Sequence, residues 1–174
     1  GRIGYGGTVK ILNCTNRINS KSNEYVPNGG LCGDLMGYKG TCIFDKCKNY
    51  GKLAAIKSGG MCSSGAGTGG GLVTFTNCIN FGEIKGANAG GICGADAVSV
   101  TFTECSNKIV IDNKNETTDD VTNVGEITGE NAGGICGAGA ENVVMDECFN
   151  TGEITGAYAG GLSGTAVGKD GADA

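Results

Sequence analysis

The sequence contains no histidine, no tryptophan, a single proline (Pro27) and only two arginines, Arg2 and Arg17. Without histidine the mixed zinc sites lose their imidazole ligands, and no C-x-x-C pair stands in for them, so the cysteines do not read as a zinc site. A net charge of −5 with no basic run leaves no footprint for nucleic acid or an anionic membrane surface. No apolar run approaches the ~18 residues that a membrane span needs, which excludes a transmembrane helix. The chain opens on Gly1 rather than methionine and shows no signal peptide, so it reads as a processed product or a piece of something longer.

What is abundant is glycine, 35 of 174 residues, together with ten cysteines. Both recur at fixed places. The clearest unit runs Cys78, Asn80, Gly82, Ile84, Gly86, then Ala89-Gly90-Gly91-Ile92-Cys93-Gly94. A near copy runs Cys148, Asn150, Gly152, Ile154, Gly156, then Ala159-Gly160-Gly161-Leu162-Ser163-Gly164. Further copies begin at Cys105, Cys47 and Cys14, which makes five units. Self-similarity at about 27 to 33 residues marks a repeat architecture, each unit being one structural turn.

Each unit opens with period-two alternation: Val9 and Ile11; Cys42 and Phe44; Val73 and Phe75; Val100 and Phe102; Val143 and Met145. That is strand chemistry, with these residues inside. The unit's cysteine lies an odd number of positions further on, so the chain must bend before it points inward. Two residues later stands an asparagine in every unit, Asn16, Asn49, Asn80, Asn107 and Asn150. An amide both donates and accepts, so stacked copies are expected to form a ladder at a corner. A short second side places Leu-type residues inward at Ile84, Ile127 and Ile154, and a third side does so at Leu31, Met61, Ile92, Ile135 and Leu162. Paired glycines there predict tight corners or a close neighbour.

The reading is all-β: residues 1–174 form one parallel β-helix, or β-solenoid, of about five coils. Residues 1–7 are the remnant of a preceding coil, 165–174 a tail, and Lys108–Asn123 a 16-residue inserted loop. The loop's Asp112, Asp119 and Asp120 could hold calcium, but their spacing is not that of an EF-hand, and a solvated loop is the expectation. The glycine run from Gly65 lacks the Lys-Ser/Thr of a phosphate loop and reads as a turn. Thr74, Thr76, Thr101 and Thr103 supply only two rungs of threonine, too few for an ice-binding face.

The ten cysteines admit two readings. In one, each Gly-Gly-x-Cys is disulfide-bonded to the corner cysteine of the next coil: Cys32 with Cys47, Cys62 with Cys78, Cys93 with Cys105, Cys136 with Cys148. Cys14 and Cys42 then remain as a strained fifth pair. In the other, the thiols stay free and pack as small hydrophobes. Asn13 and Asn115 head glycosylation triplets. Disulfides and such triplets suit an extracellular or cell- or virion-surface setting.

The Gly-(Leu/Ile)-x-Gly cores Gly91-Ile92-Cys93-Gly94, Gly134-Ile135-Cys136-Gly137 and Gly161-Leu162-Ser163-Gly164 follow Gly-x-Ile-x-Gly runs over most of residues 71–164, and Gly30-Leu31-Cys32-Gly33 is a looser match before them. In this the chain resembles the bacterial GLUG-motif family of surface proteins. The resemblance implies a cell-surface or adhesin-like β-solenoid without a known active site; the cysteines depart from that family's pattern.

No catalytic, cofactor or metal residues are expected. Polysaccharide enzymes on β-helices use a cleft of carboxylates with aromatic platforms, and Glu83, Glu126 and Glu153 instead fall in one solvated row. The expected role is a structural subunit of a fibre or surface layer, associating end to end or with flanking domains of a longer chain. An adhesin binding a glycan or receptor through one face or the 108–123 loop is the alternative.

Overall fold

In a computed structural model, residues 3–20, 28–108 and 125–166 are described. Among them all secondary structure is strand, turn and bridge, with no helix. Every strand pairing is parallel, and each joins one coil to the equivalent segment of the next. The chain is a β-solenoid.

Three sheets run along the axis. The first stacks β1 (Thr8–Leu12), β3 (Thr41–Asp45), β6 (Leu72–Thr76), β9 (Val98–Thr103) and β12 (Glu141–Asp146). The second stacks β2 (Thr15–Asn16), β4 (Lys48–Asn49), β7 (Ile79–Asn80), β10 (Ser106–Asn107) and β13 (Phe149–Asn150). The third stacks β5 (Leu53–Ala54), β8 (Ile84–Lys85), β11 (Ile127–Thr128) and β14 (Ile154–Thr155). Four turns therefore carry all three strands; the first contributes β1, β2 and the bridges at Gly29 and Cys32. The expected coil count of five becomes four full turns and a partial one among the described residues.

Register follows the alternation of the sequence. Val9, Cys42, Val73, Val100 and Val143 occupy one column, and Ile11, Phe44, Phe75, Phe102 and Met145 the next. Phe44, Phe75 and Phe102 stack at centroid separations of 4.7 and 5.1 Å and are fully buried. Each such pair adds about 1 kcal/mol beyond the apolar area that it buries. Leu53, Ile84 and Ile127 form a second buried column under the third sheet. Gly-Gly-x-Cys, expected to be a third side, makes only isolated bridges, because its glycines approach the next coil too closely for a regular strand.

The asparagines end the short strands of the second sheet, and each folds its amide onto the glycine two residues on, at the bend into the third sheet. Another bend comes earlier, at the residue before each corner cysteine. Asn13, Lys46, Asn77, Glu104 and Glu147 all have φ between 50 and 54°. This left-handed turn reorients the strand by the odd step that brings the cysteine inside. Asparagine tolerates that conformation, whereas a residue such as glutamate pays about 1–2 kcal/mol for it. Glu104 is exposed, so Glu104→Asn is expected to raise stability by about 0.5–1 kcal/mol, a shift of roughly 1–4 °C in Tm by thermal denaturation. No rise in Tm would show that the left-handed turn carries no strain.

The paired glycines are set by contact between coils. A Cβ on Gly60, Gly91 or Gly134 would lie 2.0–2.2 Å from the carbonyl oxygen of the equivalent glycine in the next coil. At Gly161, above which no described coil lies, a Cβ would meet nothing within 4 Å. Gly91→Ala is expected to cost about 3 kcal/mol, the upper range for overpacking, because backbone rather than a flexible side chain stands in the way. Gly161→Ala should stay within about 0.5 kcal/mol of the parent. Chemical denaturation of the two variants checks the contrast.

Candidate functional site

Polar chemistry inside the solenoid is concentrated in one column of amides and two columns of thiols. Asn16 Nδ2 donates to Asn49 Oδ1 at 2.8 Å, and the same bond repeats at 2.7 Å from Asn49 to Asn80, Asn80 to Asn107 and Asn107 to Asn150. Each orientation is fixed within its own coil: Asn80 Oδ1 accepts from the Gly82 N–H, and Asn80 Nδ2 donates to the Gly82 carbonyl. The three central amides, Asn49, Asn80 and Asn107, are fully buried, and satisfied groups of this kind are what a buried polar column requires. The ladder has a direction. Every coil donates towards the C-terminal end, so Asn16 Oδ1 and one N–H of Asn150 are the two ends of the chain of bonds.

The insertion leaves this column intact. Lys108 keeps the coil position of Tyr50 and Phe81, its N–H donating to the Asn80 carbonyl, so the coil continues one residue further than expected. Gly125 then takes the place of Gly82, accepting from Asn107 Nδ2 at 2.6 Å. Residues 109–124, with Asn115 and the aspartates considered for calcium, lie outside the described residues; so do Arg2, Pro27 and the tail beyond Ala166. Asn13 is exposed. Among the described residues no group of three or more His, Cys, Asp or Glu is arranged to hold a metal ion.

All ten cysteines are free thiols. The disulfides expected between each Gly-Gly-x-Cys and the next corner cysteine are not formed. The reason is registry: like stacks over like, so Cys32, Cys62, Cys93 and Cys136 occupy one column that ends at Ser163. The corner cysteines Cys14, Cys47, Cys78, Cys105 and Cys148 occupy another, knit by bonds such as Ile79 N–H to the Cys47 carbonyl and Ser106 N–H to the Cys78 carbonyl. Cys62 and Cys93 Sγ lie 3.5 Å apart, a hydrogen-bond contact rather than a covalent one. Cys42 stands alone in the valine column, its Sγ 3.7 Å from the Ile3 carbonyl.

Burial and mutual hydrogen bonding hold the fully buried thiols protonated. Cys78 and Cys105 are pushed up to about 12, first by the hydrogen bond each makes to the next sulfur, Cys105 and Cys148, and then by desolvation. Burial first, then neighbouring cysteines, raises Cys32 to about 12. Cys148 runs the other way: the hydrogen bond from Cys105 brings it down to about 7. Cys14 and Cys148, the opposite ends of one column, are the two cysteines that are only partly buried.

Outside, Glu83 meets Lys85 at 2.5 Å and Lys52 at 3.3 Å. Burial pushes its carboxyl up, but the two ammonium groups outweigh this and hold it below the usual carboxylate range. Backbone bonds place Glu83, Glu126 and Glu153 in one row. Tyr50 and Phe81 stack at 4.8 Å, with Arg17 4.7 Å over Tyr50. A shallow cleft lined by Asn16, Ile18, Ser20, Gly29, Gly30 and Leu53 opens at the first coil's edge; its walls are amide, hydroxyl and aliphatic.

The edges differ from the interior. Val73, Phe75, Val100 and Phe102 are fully buried, whereas Val9, Ile11, Val143 and Met145, in the same columns, are partly exposed. Leu162 is 38% exposed where its counterparts Ile92 and Ile135 are fully buried.

No family model, no curated protein and no solved structure matches this chain.

Proposed function

We propose that the chain is a non-enzymatic structural subunit of an extracellular fibre or surface layer, and that it assembles through the two ends of its solenoid. The observation that carries this reading is the state of those ends. Among the described residues, the columns that are sealed in the middle coils stop at partly exposed apolar side chains and unpaired strand edges in β1 and β12. Exposed parallel edges of this kind template further strands, and an end-to-end contact between unlike edges does not close on itself, so it propagates. The family reading belongs here as well: a cysteine-rich relative of the GLUG-motif surface solenoids, supported by the repeated Gly-(Leu/Ile)-x-Gly core.

Electron microscopy of the purified chain, with light scattering across a concentration series, tests the reading. Fibres or a mass rising with concentration is the expected result; monodisperse single chains at high concentration would refute it.

A further inference from the structure

We propose that copies of this chain stack head to tail in the register of the solenoid itself, the β12–β13 edge of one copy on the β1–β2 edge of the next. In this joint Cys148 of one copy and Cys14 of the next form a disulfide that locks it. The proposal rests on the end-to-end reading above and gives it a register and a covalent bond.

Four independent features meet at this joint. The amide ladder has a spare donor at Asn150 and a spare acceptor position at Asn16 Oδ1, so continuing the stack makes the same bond that joins each coil to the next. The edge columns continue with like on like: Val143 meets Val9, Met145 meets Ile11, and Leu162 meets Leu31. The charges complement each other. Among the described residues the first coil carries Lys10 and Arg17 with no Asp or Glu, while residues 141–164 carry Glu141, Asp146, Glu147 and Glu153 with no lysine or arginine, a net of −4. Finally, the only partly buried cysteines among the ten are the two ends of the corner column, which this register brings together.

Neighbouring rungs of a parallel sheet lie about 4.8 Å apart, within the Cα separation that a disulfide spans. The oxidant is a small-molecule disulfide such as oxidised glutathione. The Cys148 thiolate attacks one of its sulfurs, forming a mixed disulfide and releasing one small thiolate. Cys14 of the next copy then gives up its proton and attacks the Cys148 sulfur, which releases the second small thiol. One small disulfide is reduced to two thiols, and two protein thiols are oxidised to one bond. Cys105 lies directly beneath Cys148 and could resolve the mixed disulfide within one copy, but it is fully buried, and its proton is held.

The test uses the full chain in a glutathione redox buffer, read by non-reducing electrophoresis, peptide mapping and electron microscopy. The expected result is a ladder of covalent multimers whose linking peptide joins Cys14 to Cys148, lost in Cys14→Ser and in Cys148→Ser while fibres persist. Gly161→Ala is the register test. Its added Cβ meets nothing in a single copy, yet in the stacked register it would strike the Gly30 carbonyl of the next, as one on Gly134 would strike Gly161 at 2.1 Å. This variant should keep the parent Tm and lose both fibres and cross-links. Fibres in the parent without the Cys14–Cys148 peptide, a Cys105–Cys148 bond in its place, or unimpaired assembly of Gly161→Ala would each overturn the inference and leave the fibre reading standing. A chain that stays monomeric with or without oxidant would overturn both.

Discussion

Raising the pH from about 8 to about 11 under reducing conditions is expected to unfold the chain in one steep step. Five thiols at the centre of the columns, Cys47, Cys78, Cys93, Cys105 and Cys136, are fully buried and have their proton affinity raised well above the ordinary value of 9.0. In the unfolded chain they ionise near 9, while in the fold they hold their protons. Below that value both states are protonated, and the stabilisation is fully present. Above it the unfolded state sheds protons that the folded state keeps, so stability falls with every further unit until the folded thiols themselves ionise. One thiol contributes about 1.4 kcal/mol per pH unit, and five contribute about 7. A total stability of about 5–15 kcal/mol would be exhausted within one to two units above 9.

Cys148 has the opposite sign. Its affinity is lowered, so its contribution grows as the pH rises from about 7 towards 9 and is constant beyond. It does not flatten the alkaline fall. Circular dichroism and thiolate ultraviolet absorbance, recorded together, check the expectation: both should change in the same narrow interval. Thiolates appearing gradually around pH 9 in a chain whose strands persist would refute the buried columns.

The fold was legible because the solenoid repeats. Val73 and Val100, or Phe75 and Phe102, are equivalent in sequence and neighbours in space, so alternation in one unit predicts a column through all of them. The amide column was legible for the same reason. The bend before each cysteine was legible from the odd spacing, but its left-handed conformation was not, because Asn13, Lys46, Asn77, Glu104 and Glu147 share a backbone conformation and no side-chain chemistry. Of the two readings of the cysteines, the disulfide one came from counting partners across the coil, and the structure has the other, free thiols packed as small hydrophobes. A buried thiol is already satisfied as a small apolar group with a weak donor, and registry sets it over its own equivalent, as Cys62 over Cys93. The direction of the amide ladder had no sequence signal at all. It is fixed by which way each side chain binds its own glycine, and from it comes the inequivalence of the two ends.

Replacing one amide in the middle of that ladder is expected to unfold the chain or nearly so. Asn80 accepts from Asn49 and from the Gly82 N–H, and donates to Asn107 and to the Gly82 carbonyl. Asn80→Ala leaves an orphaned Asn49 N–H, an orphaned Asn107 lone pair and an unpaired Gly82 carbonyl inside a fully buried column, while the Gly82 N–H keeps its bond to the Asn49 carbonyl. At about 1–3 kcal/mol for each unsatisfied group, with partial relaxation, the loss is about 4 kcal/mol or more. Asn80→Asp should be at least as severe despite its nearly identical shape. A carboxylate cannot donate, so it sets oxygen against the Asn107 Oδ1 and the Gly82 carbonyl and buries a charge with no cation among its partners. Asn150→Ala, at the partly exposed end, loses the bond from Asn107 and its own two bonds to Gly152, where water can replace them, and should cost only about 1 kcal/mol. Urea unfolding of the three variants at one pH separates an amide ladder from simple packing. In a ladder, Asp is no better than Ala at position 80, and the cost falls towards the end. If packing alone mattered, Asn80→Asp would be mild, because it keeps the volume of the residue it replaces.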